Sequence, residues 1–185
     1  MKKLILASVF AAFSINANAA SIFDASIVIP DANVLINFNG SGLDWVYAGP
    51  IAPNEFGPGN IELPSFRASE GWRFASATEW ASRPEWTDFI QPGFTAADVP
   101  ATEGWTDHTK YKFASEYWGN FSHVDTNDAS NGKLTNGLDI GSLTGVYETW
   151  YIRGAVAAVP EPETYAMMLA GLGLIGFSAR RRKQA

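Results

Sequence analysis

Two histidines, His108 and His123, are the only imidazoles in the chain, and neither stands in a nucleophile elbow, an H-x-x-x-H pair or a triad-like local motif. Asp107 beside His108 has the residue types needed to orient an imidazole, but the pair reads as an exposed turn. Cysteine is absent, which removes thiol nucleophiles, cysteine metal sites and disulfides together. No glycine-rich phosphate loop is present. Carboxylates are plentiful, so the acid pair that glycoside hydrolysis requires is available, yet no spacing singles out two of them.

Binding chemistry is better represented than catalysis. Trp86, Trp105 and Trp118 are candidate platforms for sugar rings, with neighbouring Asp and Asn side chains to accept from hydroxyls. After Trp118 comes Asp125-Thr126-Asn127-Asp128-Ala129-Ser130-Asn131-Gly132, a dense run of side-chain oxygens. Calcium would want such ligands, but the D-x-[DN]-x-[DN]-G spacing is not met and no bidentate Glu follows at the right distance. The run reads as an Asx-rich surface loop, and no metal or cofactor is expected. Candidate ligand contacts are Trp105, Trp118, Asp125 and Asn127.

The elements that must position these residues are short. Ser26 to Ile29 and Val34 to Phe38 read as two strands around the turn Pro30-Asp31-Ala32-Asn33, and Asn39-Gly40-Ser41-Gly42 as a further turn. Leu43 to Tyr47 reads as a strand, and Ala48 to Pro64, rich in proline and glycine, as a loop. Trp72 to Phe74 should form a short strand before Ser76-x-x-Glu79, a capping box that starts a helix. Ser82-x-x-Glu85, with Pro84 in the first turn, predicts a second short helix through Ile90. Lys133 to Asp139 reads as loop with a tight turn at Asn136-Gly137, and Thr144 to Ile152 as a central strand. The expected fold is α+β, a mainly antiparallel sheet with two or three short helices. A helix-poor β-sandwich is the alternative.

Both ends of the chain carry signals rather than fold. Met1-Lys2-Lys3 is a basic n-region, Leu4 to Phe13 an apolar h-region, and Ala17-Asn18-Ala19 a small-x-small site that places cleavage between Ala19 and Ala20. At the other end Pro160-Glu161-Pro162 should be stiff, extended and accessible. Thr164 to Ala179 then runs uncharged for about 24 Å if helical, a minimal membrane span. Arg180, Arg181, Arg182 and Lys183 should remain cytoplasmic by the positive-inside rule. The expected organisation is a signal peptide over 1–19, an extracytoplasmic domain over 20–154, a linker over 155–163, a transmembrane helix over 164–179 and a basic tail over 180–185.

The chain has nineteen acidic and thirteen basic residues. Setting aside Glu161 and Glu163 and the six bases at the two ends leaves the body about ten charges negative. Nucleic acid is excluded as a partner, because phosphates need a basic footprint. With no cysteine, the body must hold together by packing alone.

Val159-Pro160-Glu161-Pro162, the short apolar helix and the arginine cluster, in that order, resemble the PEP-CTERM sorting signal of Gram-negative bacteria. The resemblance implies recognition by an exosortase, a membrane-embedded transpeptidase-like enzyme found mostly in organisms that make exopolysaccharide. The same tail is catalogued in ice-binding proteins, but this chain has no regular Thr-x-Thr array. Gly71-Trp72-Arg73-Phe74-Ala75-Ser76-Ala77-Thr78-Glu79-Trp80, Glu116-Tyr117-Trp118-Gly119 and Tyr151-Ile152-Arg153-Gly154 resemble in order the signature of bacterial C-type-lectin-like domains, with Phe74-Ala75 replacing the usual Leu-Pro. Formylglycine-generating enzymes share a related fold, but their cysteine chemistry is not available here. Certain PEP-CTERM proteins are also similar across Phe113-Ala114-Ser115 and Ser122-His123-Val124-Asp125, where siblings carry cysteines. That alignment implies a disulfide replaced by apolar packing of Phe113 and Val124. The expected function is an exported envelope or matrix protein, anchored at first in the inner membrane, whose non-catalytic body is an interaction module with exopolysaccharide as a candidate ligand. A secreted polysaccharide hydrolase is the alternative.

Overall fold

The computed structural model describes residues 23–52, 61–102 and 104–155, together with Leu172. Ala19 and Ala20 of the expected signal cleavage, the sorting tripeptide Pro160 to Pro162, the stretch 164–179 expected to span a membrane, apart from Leu172, and the basic cluster Arg180 to Lys183 lie outside the described residues. The chain divides into two units, Met1–Gly154 and Ala155–Ala185. Among the described residues no helix is long and apolar enough to cross a membrane.

The first unit is α+β, built on one mixed four-stranded sheet. Its strands are β1 (Val34–Leu35), β2 (Leu43–Ile51), β3 (Leu134–Thr135) and β4 (Tyr147–Gly154), in the order β1-β2-β4-β3. β1 pairs with β2 and β2 with β4 antiparallel, and β3 joins β4 parallel. The expectation of a mainly antiparallel sheet with a central final strand is met. The described residues form no second sheet, so the sandwich alternative is set aside.

The two long strands are buried along most of their length, because each face of the sheet meets its own core. Side chains alternate across a strand. Trp45, Tyr47, Trp150 and Ile152 enter one core with Phe89, Tyr111, Phe113 and Val124. Val46, Ala48 and Tyr151 enter the other with Trp72, Ala114, Tyr117 and Trp118. A sheet covered on both sides needs apolar residues at consecutive positions, which is how β2 and β4 read. Phe113 and Val124 are fully buried in the same core.

Several boundaries move from their sequence-based positions. β2 runs on to Ile51 rather than ending at Tyr47, with a bulge between Tyr47 and Gly49. Gly49 has φ +106°, and a Cβ there would lie 2.7 Å from Ser115 Cβ, so the glycine is demanded twice. Ser26 to Ile29 is not a strand. The carbonyls of Asp24 and Ile27 instead accept from Nη2 of the fully buried Arg67, at 2.9 and 2.7 Å. Partners that a ladder would have supplied come from a side chain. β1 stops at Leu35, ahead of the left-handed Asn37 and a 3-10 turn over Phe38–Gly40.

The capping box is present: Ser76 Oγ accepts from the Glu79 amide, Glu79 Oε2 accepts from the Ser76 amide at 2.9 Å, and helix α1 (Ala77–Trp80) follows. Trp72 to Phe74 contributes a single bridge, Arg73 to Ile152. The second helix start lies three residues later than Ser82. The Ser82 amide is still bound to the Glu79 carbonyl at the end of α1, and a 3-10 turn over Trp86–Phe89 opens where the Glu85 amide donates to Asp88 Oδ2 at 2.7 Å. Lys133 to Asp139 is not wholly loop, since it contains β3. Beyond it Gly137, at φ +81°, makes room for the Phe74 ring, which a Cβ would meet at 2.2 Å. The oxygen-rich run is not a surface loop either: Thr126–Ser130 forms helix α2, with Asp125, Thr126 and Ala129 buried.

Candidate functional site

A cleft of about 810 Å³ opens at the end of the sheet where β2 finishes and β4 begins. Its lining combines apolar Pro50 and Val146, the aromatic rings of Phe121 and His123, and polar Asp125 and Asn127. Asp128 and Lys133 complete the polar lining.

Each polar group is held by backbone from another element. Trp105 and Val124 exchange amide bonds of 2.9 and 3.1 Å, which places the chain entering α2 beside the Gly104 turn. Gly104 donates its amide to Asp125 Oδ1 at 2.6 Å. The Tyr47 hydroxyl donates to the Asp125 carbonyl at 3.2 Å, and the Asp125 amide donates to Glu148 Oε1 at 2.9 Å. Lys133 is fixed twice: its amide donates to the Asp128 carbonyl at 2.8 Å, and its Nζ lies 3.4 Å from Asp128 Oδ1. Its carbonyl accepts from the Glu148 amide at 2.9 Å, so the cleft floor and β4 share one network. Phe121 and His123 meet edge to face, with ring centroids 5.4 Å apart.

Glu148 lies behind this floor and is fully enclosed. Burial pushes its carboxyl well above the usual range; the Asp125 amide opposes that shift, and the nearby charges of Asp125 and Asp128 add to it. Its Oε2 has no hydrogen-bond partner among the described residues. A carboxyl held towards its protonated form is the property of a general acid, but Glu148 does not line the cleft and has no exposed surface with which to meet a glycosidic oxygen. Its place is structural, under Asp125.

Of the residues predicted to contact ligand, the fold brings Asp125 and Asn127 together in the cleft. Trp118 is corrected: it is fully buried, edge to face with Trp72 at 5.5 Å and with Tyr151 at 5.2 Å. Trp105 is half-buried against the core and does not line the cleft. Trp86, also half-buried, packs on the same core. Phe121, His123 and Lys133 are the cleft residues that sequence reasoning missed, since no local motif joins them. His108 is not oriented by Asp107, whose carboxylate accepts from Thr109. Its ring stacks on Phe113, and its Nε2 lies 2.8 Å from Glu116 Oε1. Among the described residues no cluster of His, Asp and Glu is arranged to hold a metal.

The three segments that carry the lectin-like resemblance meet in one place. Trp72, Trp118 and Tyr151 share a core, Arg73 bridges Ile152 through paired amide bonds, and the Arg153 guanidinium lies 4.6 Å above the Trp72 ring.

A family model of the PEP-CTERM protein-sorting motif matches residues 158–183. No curated protein and no solved structure matches the chain. The chain therefore carries a PEP-CTERM sorting motif, the mark of an exported, membrane-anchored protein that an exosortase recognises.

Proposed function

We propose that this is a cell-envelope or extracellular-matrix protein, delivered through its PEP-CTERM motif, whose body is a non-catalytic module that binds polysaccharide in the cleft at the end of the sheet. The single observation that carries the reading is the lining of that cleft, which combines the aromatic rings of Phe121 and His123 with the polar side chains of Asp125 and Asn127. Pyranose rings present an apolar C–H face and a rim of hydroxyls, so a site for them needs an aromatic surface and convergent acceptors together.

The motif at 158–183 supports export and exosortase handling at Pro160, Glu161 and Pro162. On this reading residues 1–19 are removed after Ala19, leaving Ala20 first, residues 164–179 span the inner membrane, and Arg180 to Lys183 stay inside. The body is then periplasmic before sorting. The meeting of the three lectin-like segments supports a lectin-like body. The burial of Glu148 favours binding over hydrolysis, because among the described residues it is the carboxyl held well above its usual range, and it is sealed from the cleft.

The test is calorimetry of the full chain, in detergent, against the producing organism's extracellular polysaccharide, with reducing ends assayed in the same cell. Saturable heat without new reducing ends is expected. Release of reducing ends would establish a hydrolase instead, and no heat would remove polysaccharide as the ligand.

A further inference from the structure

Asp125 is nine-tenths buried, yet it lines the cleft. Its Oδ1 accepts from the Gly104 amide, which leaves Oδ2 for whatever occupies the cleft. No cation among the described residues pairs with it: the ion pairs join Arg67 to Glu70, Arg73 to Glu79, His108 to Glu116, Lys133 to Asp128 and Arg153 to Asp44. Lys133, the one lysine lining the cleft, is thus already taken by Asp128. A largely desolvated carboxylate without a counter-charge is costly to a protein unless something supplies one.

We infer that the cleft selects glycans bearing free amino groups, oligomers or polymers of de-N-acetylated hexosamine, with the sugar ammonium seated against Asp125 Oδ2. This rests on the polysaccharide reading and narrows it. An ammonium offers three donors and no acceptor, which suits the Asp125 and Asp128 carboxylates that line the cleft, Asn127 Oδ1 being already an acceptor for Asn131. Charge-assisted bonds of this kind are about twice as strong as neutral ones. Phe121, which lines the cleft and meets His123 edge to face, gives the ring an apolar surface and, for a cation, a favourable quadrupole. Uronate polymers meet the opposite situation, because both the unpaired Asp125 carboxylate and the acidic body repel them.

The test is calorimetry of the full chain in detergent with three probes: the β-1,4-linked tetramer of glucosamine, its N-acetylated counterpart, and a tetramer of galacturonic acid. The glucosamine tetramer should bind at one site per chain, about tenfold more tightly than the N-acetylated one, and the uronate should give no heat. The preference should shrink as salt rises. Asp125→Asn keeps an acceptor for the Gly104 amide and should abolish the preference while leaving the melting transition in place. Equal affinity for the two hexosamine tetramers, a preference indifferent to salt, or a preference retained in a folded Asp125→Asn protein would overturn the inference and leave the polysaccharide reading standing. Failure of all three probes to bind would overturn it as well, and the organism's own polysaccharide then shows whether the broader reading has failed with it.

Discussion

The backbone amide of Asp125 donates to the Glu148 carboxyl at 2.9 Å, so the residue that floors the cleft is fastened to one sealed inside the sheet. Glu148 stands on β4 opposite Pro50 of β2 and Leu134 of β3. Three strands therefore fix the position of one cleft carboxylate. Pre-organisation of this kind lowers the ordering cost that binding would otherwise carry.

That bond makes a pH prediction with a definite sign. Burial raises the Glu148 carboxyl in the folded chain above its unfolded value, so the folded protein holds a proton the unfolded one loses. The contribution is fully present below about pH 4.3 and is lost as pH rises from there towards the folded value. Glu148→Gln keeps an oxygen for the Asp125 amide and removes the titration. Thermal melts should show a flatter pH dependence above about pH 5 for the variant than for the wild type, and a greater relative stability at the alkaline end. Parallel curves would refute this.

The opposite sign holds at the start of α1. The Arg73 guanidinium, bound bidentately at 2.9 and 2.6 Å, holds the Glu79 carboxyl down to about 2, with the Ser76 bonds assisting. Stability from this cluster is present above the unfolded value of about 4.3 and is lost as pH falls towards about 2. Arg73 is half exposed, so Arg73→Ala should cost only about 0.5–1 kcal/mol at neutral pH. Acid unfolding of the variant should move to higher pH, which circular dichroism at fixed temperature would detect.

Gly49→Ala should destabilise the chain by about 2–4 kcal/mol, adding backbone strain at positive φ to the collision with Ser115. Gly40 has φ +70° but open space around its Cβ position, so Gly40→Ala should cost only about 1 kcal/mol. Urea denaturation of the pair separates collision from conformation. Equal losses would mean that Ser115 yields.

Sorting is tested apart from the body. Replacing Glu161 by Ala in the full chain should leave the body's melting unchanged and cause unprocessed protein to accumulate in cells that carry an exosortase. In cells lacking that enzyme, wild type and variant should fractionate alike. A variant sorted as efficiently as the wild type would show that the tripeptide is not what is read.

Legibility in the sequence follows the range of the interactions. The Ser76 capping box was readable because all its partners lie within three residues. β4 was readable because its aromatic and β-branched run suits only a buried strand. β3 was not, since two residues gain their identity from a parallel partner that begins twelve positions further on. Gly49 and Pro50 looked like the start of a loop, because punctuation by type says nothing of the Ser115 side chain that demands the glycine. Asp125 and Asn127 were found through their oxygen-rich run. Phe121, His123 and Lys133 were not, because only the tertiary fold brings them to the same cleft. Trp118 is a candidate ligand contact by residue type alone, and composition does not say which aromatics pack between Trp72 and Tyr151 as it does.

Hydrogen exchange of the full chain with and without the extracellular polysaccharide tests the central claim most directly. Protection should increase over residues 121–128 and around Lys133, and stay unchanged over the exposed turn 39–42 on the other side of β2's start. Polysaccharide-dependent protection elsewhere, with none across 121–128, would contradict the assignment of the cleft as the binding site.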